Sequence, residues 1–370
     1  MTARTTDEQY MALALDLARK GAGWTSPNPM VGAVIVKDGQ VIGQGYHAKC
    51  GDLHAERAAL ANCQGDPAGA TIYVTLEPCC HHGRQPPCTD AILEAGITRV
   101  VVGSGDPNPL VAGKGLDILR SHGVAVTEGV LDAECKALND VFFHYIQTGR
   151  PYVVLKYAMT LDGKLAAHTG ASQWITGEEA RRHVHTQRSR FRSIMVGVDT
   201  VLADDPQLTC RIEGGRNPLR IICDSHLRTP LSAKVVQTAK EVPTYLATCV
   251  TQELRLAPYR DLGCNILPVP ERSGHVDLDA LMTLLGKMGV DSVLLEGGAT
   301  LHWAAVEAGL VHKVQAYIAP KILGGKTAKS PVGGQGFAHP DQALILKSPA
   351  LTRLGQDILI ESEVESEVTP

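Results

Sequence analysis

The chain has 370 residues, more than one core comfortably serves, so two domains are expected and three are possible. A formal charge of −4 and a pI near 6.4 give no global attraction to polyanions. Aromatic residues, at 4%, are too few for a base-stacking platform, so no nucleic-acid partner is expected. Met1 to Gln9 is polar and no run of 18 apolar residues occurs, so no membrane partner is expected and the reading is a soluble, cytoplasmic protein. Ten cysteines at irregular spacing do not resemble a secreted disulfide framework, and most are expected to be buried small hydrophobes.

In chain order, Thr6 is expected to cap a first helix with Gln9 as its capping-box partner, and Tyr10, Met11, Ala14, Leu15 and Ala18 recur at helical spacing. Val31 to Val36 reads as a buried strand, Asp38-Gly39 as a two-residue hairpin turn, and Val41 to Tyr46 as the returning strand. His54 to Cys63 is alanine-rich and helical, which puts His54 on its opening turn. Thr71 to Leu76, Arg99 to Val102 and Val124 to Val126 read as strands, with helices at Cys88 to Ala95 and Gly115 to Ser121 between them. Such alternation argues a layered α/β sandwich. Leu131 to Gln147 reads as one closing helix, and Gly149-Arg150-Pro151 as a linker.

The pattern then restarts. Tyr152 to Tyr157, Ser193 to Val198, Leu219 to Cys223, Thr244 to Thr248, Val290 to Leu295 and Lys313 to Ile318 read as strands. A helix from about Gly177 to Arg190 carries a Thr176/Glu179 capping box, and another helix runs from Thr300 to Ala308. The acidic tail from Glu361 to Pro370 is expected to fray.

Chemistry concentrates between Asp52 and Cys88. His54, Cys79 and Cys88 offer one imidazole and two thiols, three ligands of a zinc ion whose fourth position stays open to water. Glu56 is placed to move protons during a hydrolytic deamination rather than to bind the metal. On a helix, positions 54 and 56 diverge by about 200°, so both reach one centre only at an exposed N-terminal turn. A His-x-Glu pair alone means little, and the two cysteines also fit buried thiols or half of a structural zinc site. Cys80, His81 and His82 are competing donors, read as loop or outer groups because the other three complete a site.

The runs Ser26 to Gly32, His47 to Glu56 (HAKCGDLHAE) and Thr75 to Cys88 (TLEPCCHHGRQPPC) resemble the deaminase half of the bifunctional riboflavin-biosynthesis deaminase/reductases. Eight residues separate the cysteines, where most cytidine and tRNA adenosine deaminases have two. The resemblance implies a zinc ion on His54, Cys79 and Cys88, with Glu56 as proton donor and Asn28 and His47 facing the substrate. Cys80 and Gln85 depart from the small polar residue and threonine more usual in the family, and neither is a ligand.

The second half has no Gly-x-Gly-x-x-Gly after a strand, which removes support for a Rossmann domain. Glu296-Gly297-Gly298-Ala299-Thr300 lies between a strand and a helix, either a phosphate-accepting turn or simply a tight connection. Arg188 and Arg211 read as a phosphate fork or as solvated charges. Lys156 to Lys164, Ser172 to Thr176, Val198 to Pro206, Leu208 to Arg211 and Leu295 to Leu301 resemble the reductase half of the same family. That resemblance implies a dihydrofolate-reductase-like fold using NADPH, with Ala158, Trp174, Thr200, Asp204, Ser225, Gly298, Ala299 and Thr300 at the cofactor. It places Lys156, Ser172, Arg188, Leu208, Arg211 and Glu296 at the substrate.

The combined expectation is a cytidine-deaminase-like α/β/α sandwich over residues 1–148 and a reductase domain over residues 149–370. Its substrate would be a small pyrimidine ribosyl phosphate, and it would form a homo-oligomer. Three rivals stand beside this: a nucleoside, nucleotide or tRNA deaminase with an accessory domain, a non-catalytic binding protein with structural zinc, and an enzyme with one vestigial half.

Overall fold

In the computed structural model, which describes residues 4–82, 85–108 and 111–365, the chain separates between Gly149 and Arg150 into two units with their own cores. Gly83 and Arg84 of the cysteine motif lie outside the described residues, as do the tail residues 366–370. The first unit runs α1 (Thr6–Arg19), β1 (Gly32–Lys37), β2 (Gln40–Tyr46), α2 (Ala55–Ala61), β3 (Thr71–Leu76), α3 (Cys88–Glu94), β4 (Arg99–Ser104), α4 (Lys114–Ser121), β5 (Ala125–Thr127), α5 (Asp132–Leu138) and α6 (Asp140–Thr148).

Its five strands are ordered β2-β1-β3-β4-β5, with β1 antiparallel to both neighbours and β3, β4 and β5 parallel. Side chains alternate between faces along a strand, and this sequence fills both faces with apolar residues. Val34, Val36, Tyr73 and Val101 meet Met11, Ala14 and Leu15 of α1 and Cys135 of α5. Ala33, Ile35, Ile72, Val74, Val100 and Val102 meet Ala55 and Ala59 of α2, Ile92 of α3, and Leu116 and Leu119 of α4. Each buried Val, Leu, Ile or Met side chain among them contributes about 1.5–3 kcal/mol, so a one-residue slip of register is costly on either face. The result is a three-layer α/β/α sandwich.

Gly45 brings α2 down onto β2. A Cβ there would stand 2.2 Å from Ala59 N and 2.6 Å from Ala55 O. The hairpin turn uses Asp38 and Gly39 at φ 50° and 76°, the pair of positive values that a two-residue turn with right-handed strand twist requires.

Several boundaries differ from the sequence expectation for identifiable reasons. The first capping box is formed by Thr5 and Glu8, not Thr6 and Gln9: Glu8 N–H donates to Thr5 Oγ1 at 3.3 Å and Thr5 N–H to Glu8 Oε2 at 2.7 Å. A carboxylate is the stronger acceptor for the cap N–H. The closing helix is two helices, broken at Asn139, which is buried and at φ −111°. Its side-chain amide bonds Met30 in both directions, accepting from Met30 N at 2.8 Å and donating to Met30 O at 2.9 Å. That pair pulls Asn139 out of helical geometry. Only three of the ten cysteines, Cys88, Cys135 and Cys264, are fully buried, and all ten are free thiols.

The second unit runs β6 (Tyr152–Thr160), α7 (Glu178–Arg190), β7 (Ser193–Gly197), α8 (Val198–Asp204), β8 (Leu219–Cys223), α9 (Lys234–Gln237), β9 (Thr244–Thr248), α10 (Glu253–Asp261), β10 (Asn265–Pro268), β11 (Glu271–Arg272), β12 (His275–Val276), α11 (Leu278–Lys287), β13 (Ser292–Gly297), α12 (Ala299–Glu307), β14 (Lys313–Ala319), β15 (Ala350–Leu354) and β16 (Asp357–Glu363). Nine strands form one sheet in the order β10-β9-β8-β7-β13-β6-β14-β16-β15. In that sheet β10, β9, β8, β7, β13, β6 and β14 are parallel, and β16 and β15 close the edge antiparallel; β11 and β12 form a separate antiparallel pair. Open parallel sheets bind ligands beyond the carboxyl ends of their strands.

Two expectations for this unit also change. Gly177, not Thr176, caps α7, and its N–H donates to Asp357 Oδ2 on β16 at 2.6 Å, so a distant strand supplies the partner the local box was to provide. The start of the expected fraying tail, Glu361 to Glu363, is paired with β14.

Candidate active site

The first unit gathers His54, Cys79 and Cys88 from three separate places. His54 precedes α2, Cys79 follows β3, and Cys88 opens α3. Their ligand atoms all lie within 4.8 Å of one another, and His54 Nδ1 is 3.5 Å from each sulfur. A tetrahedral ion with metal–sulfur bonds of about 2.3 Å and metal–nitrogen bonds of about 2.0 Å requires a nitrogen–sulfur separation of about 3.5 Å. The donor set therefore fits zinc. Among the described residues, Cys80, His81 and His82 do not join the cluster.

His54 is the cap of α2 and has extended backbone, φ −67° and ψ 159°, rather than lying in the first turn as the sequence suggested. Leaving the helix frees its ring from the angular divergence that two helical positions would impose, while Glu56 sits one residue inside α2. Glu56 is buried, at 3% exposure. Burial, reinforced by the charge on Cys79, pushes its carboxyl up to about 7. The Cys88 thiol, together with His54, holds Cys79 down at about 4. Cys88 itself is raised by its bond to Cys79 and by burial. Bonding to Cys79 raises His54.

A cavity of about 440 Å³ opens onto this cluster, lined by His54, Glu56 and Cys79 together with Asn28, His47, Glu77, Asp106, Asn108 and Tyr145 among others. His47 is buried and lowered by that burial. Its Nδ1 lies 3.0 Å from Leu53 O, and its Nε2 lies 3.2 Å from the Asn28 amide nitrogen. The expected pair Asn28 and His47 is thus together in the cavity. Glu77, Asp106, Asn108 and the α6 residues Phe142, Tyr145 and Ile146 also line it and were not singled out from sequence. Glu77 stood beside the cysteine motif, whereas the lining residues of α6 lie past the break at Asn139, in a helix read from sequence as one closing element.

In the second unit, Glu296 at the end of β13 is the centre of a buried ion cluster. Arg188 Nε and an Arg188 terminal nitrogen donate to its two oxygens at 2.7 and 2.8 Å, and Lys156 Nζ lies 3.3 Å away. Burial pushes the Glu296 carboxyl up, but the two cations outweigh it and hold it at about 2. Burial lowers Lys156, which also faces the Tyr317 ring at 5.6 Å. The phosphate fork expected of Arg188 and Arg211 is therefore altered, because Arg188 is already bidentate to Glu296 and also reaches Thr209 O at 3.1 Å. Arg211 N donates to His185 Nδ1 at 3.3 Å, and burial with the two arginine charges lowers His185 to about 4.

The remaining expected residues lie along or beyond strand ends. Thr200 and Asp204 follow β7, Ser225 follows β8, Gly298 to Thr300 follow β13, and Ala158 lies in β6. Thr200 abuts the glycine turn: a Cβ on Gly297 would meet Thr200 Oγ1 at 3.1 Å. Gly298 holds φ 87° and, having no side chain, supplies no side-chain cap to α12. Ser172 Oγ is 3.5 Å from Asp204 Oδ1. Leu208 is buried at φ 52°, and Ser225 Oγ accepts from Val276 N at 2.9 Å. Trp174 is exposed, with the Arg181 guanidinium 4.7 Å from its ring centre.

Fold and cluster together define a zinc-binding deaminase domain joined to a second, mainly parallel α/β domain. Residues 4–104 match the family described as the cytidine and deoxycytidylate deaminase zinc-binding region, and residues 151–360 match the RibD C-terminal domain. The chain is 54% identical to the riboflavin biosynthesis protein RibD of Actinobacillus pleuropneumoniae over 98% of this chain and 96% of that protein. It is similar to Acinetobacter baumannii RibD, with a TM-score of 0.87 at 39% identity over 98% of this chain and 99% of the other. A Thermotoga maritima diaminohydroxyphosphoribosylaminopyrimidine deaminase/5-amino-6-(5-phosphoribosylamino)uracil reductase gives 0.86 at 37% identity over 97% and 99%. The chain belongs to the RibD family of bifunctional riboflavin-biosynthesis deaminase/reductases. Its domains are cytidine-deaminase-like and dihydrofolate-reductase-like. Among the described residues, no helix is long and apolar enough to cross a membrane.

Proposed function

We propose that the first unit hydrolytically deaminates 2,5-diamino-6-ribosylamino-4(3H)-pyrimidinone 5′-phosphate. The second then reduces the ribosyl chain of the product with NADPH, giving 5-amino-6-(5-phosphoribitylamino)uracil. The observation that carries this reading is the three-donor cluster at zinc spacing with buried Glu56 beside it, facing one cavity. One zinc ion per chain is held by His54, Cys79 and Cys88; when bound, it supplies the Lewis acidity that lets water act as a nucleophile near neutral pH. Glu56 takes a proton from the attacking water and returns it to the departing amine, which leaves as ammonia. Asn28 and His47 hold the pyrimidine.

For the reduction, NADPH supplies the hydride and the protein supplies orientation. The uncapped start of α12 with Gly298, Ala299 and Thr300 suits a cofactor phosphate, since backbone N–H groups and the helix dipole face it. Ala158, Trp174, Thr200, Asp204 and Ser225 complete the cofactor set. Lys156, Ser172, Arg188, Leu208, Arg211 and Glu296 hold the substrate, with Glu296 kept ionised by its two cations. Cytoplasmic location and assembly as a homo-oligomer belong to the same reading.

Two assays on zinc-loaded protein test it: ammonia release from the diaminopyrimidine phosphate without NADPH, and NADPH oxidation on the aminouracil product. Silence in either would remove that activity from the assignment.

A further inference from the structure

Glu77 sits between β3 and Cys79, and its carboxylate is buried at 4% exposure. It is bonded to the backbone of Asp106, which lines the cavity, and of Gly113 and Gly115 at the start of α4. Oε2 accepts from Gly113 N at 3.0 Å and Asp106 N at 3.3 Å, and Oε1 accepts from Gly115 N at 3.2 Å. Its own N–H donates to Ser104 O at 2.9 Å, continuing the β3–β4 ladder. The next residue presses on the same segment, since a Cβ at Gly115 would stand 2.3 Å from Pro78 O. Asp106 Oδ1 in turn accepts from Asn108 N at 2.8 Å, and both residues line the cavity.

We propose that Glu77 is a positioning residue of the deamination site, fixing the wall that carries Asp106 and Asn108 against the loop that carries Cys79. It thereby sets substrate affinity rather than the chemical step. The inference rests on the deaminase reading of this cavity. A glutamine has the same shape but only one carbonyl oxygen, so in either orientation its NH₂ group meets a backbone N–H that the carboxylate had accepted.

In the full-length zinc-loaded protein, Glu77→Gln is expected to raise KM for ammonia release about tenfold, the equivalent of one hydrogen bond to a charged group. The kcat, zinc content and NADPH oxidation should stay within about twofold of wild type. Gly113→Ala strains the same tether from its other end, at φ 79°, and should also raise KM with zinc retained, which keeps the test open if Glu77→Gln does not fold. An unchanged KM in both variants, or loss of zinc with a normal KM in the zinc-reloaded fraction, overturns the inference. Wild-type protein that releases no ammonia would instead overturn the deaminase reading.

Discussion

Replacing Glu296 by glutamine should destabilise the second unit while leaving deamination intact. In the native state one carboxylate, 5% exposed, neutralises Arg188 at 2.7 Å and Lys156 at 3.3 Å, whose side chains are 14% and 11% exposed. Removing the negative member leaves two desolvated cations side by side. Breaking a buried pair in this way costs about 3–5 kcal/mol, and glutamine keeps enough hydrogen bonding to place the loss near the lower end, about 3 kcal/mol. With a urea slope of about 2 kcal/mol/M, the midpoint should fall by about 1.5 M. Tryptophan fluorescence reports it, because two of the three tryptophans, Trp174 and Trp303, lie in this unit. The sign with pH is fixed as well. The Glu296 carboxyl is held at about 2, below its unfolded value, so its contribution is fully present above about pH 4.5 and is lost as pH falls toward 2. The variant should lack that acid-side loss. A midpoint change worth less than about 1 kcal/mol, or an unaltered acid profile, would refute the claim that the cluster stabilises the unit.

Three further outcomes are expected. Glu56→Gln should keep its zinc and lose about 10²- to 10⁴-fold in ammonia release, the usual span of positioned acid–base catalysis; a variant of near wild-type rate would sink the proton role. Cys79→Ser, or chelation of the wild type, should abolish ammonia release while NADPH oxidation on the aminouracil persists, measured side by side with metal content. Gly45→Ala should displace α2 at a cost of about 1–3 kcal/mol and lower both zinc affinity and deamination, because the added Cβ would stand 2.2 Å from Ala59 N at the helix that carries Glu56. Unchanged zinc binding there would show that α2 can shift without moving His54.

What was legible in the sequence is what local chemistry specifies. The soft-donor set at His54, Cys79 and Cys88, with Glu56 two residues from the histidine, needs only residue types and order to imply zinc. The Asp38-Gly39 hairpin was readable because few dipeptides tolerate two positive φ values in succession. The strand Thr71 to Leu76 announced itself by its run of β-branched residues, Thr71, Ile72, Val74 and Thr75. None of these depends on a distant partner.

Tertiary structure decided the features whose partner lies far along the chain. Asn139 breaks the closing helix because Met30, 109 residues earlier, binds both ends of its amide. Asp357 accepts the Gly177 N–H from 180 residues away. Arg188, an isolated arginine in the sequence, is committed to Glu296 108 residues later, and the Glu77 carboxylate accepts from the backbone of Asp106, Gly113 and Gly115, 29 to 38 residues further on. A buried charge or amide must find a partner wherever the fold supplies one, and propensity carries no record of which residue that will be.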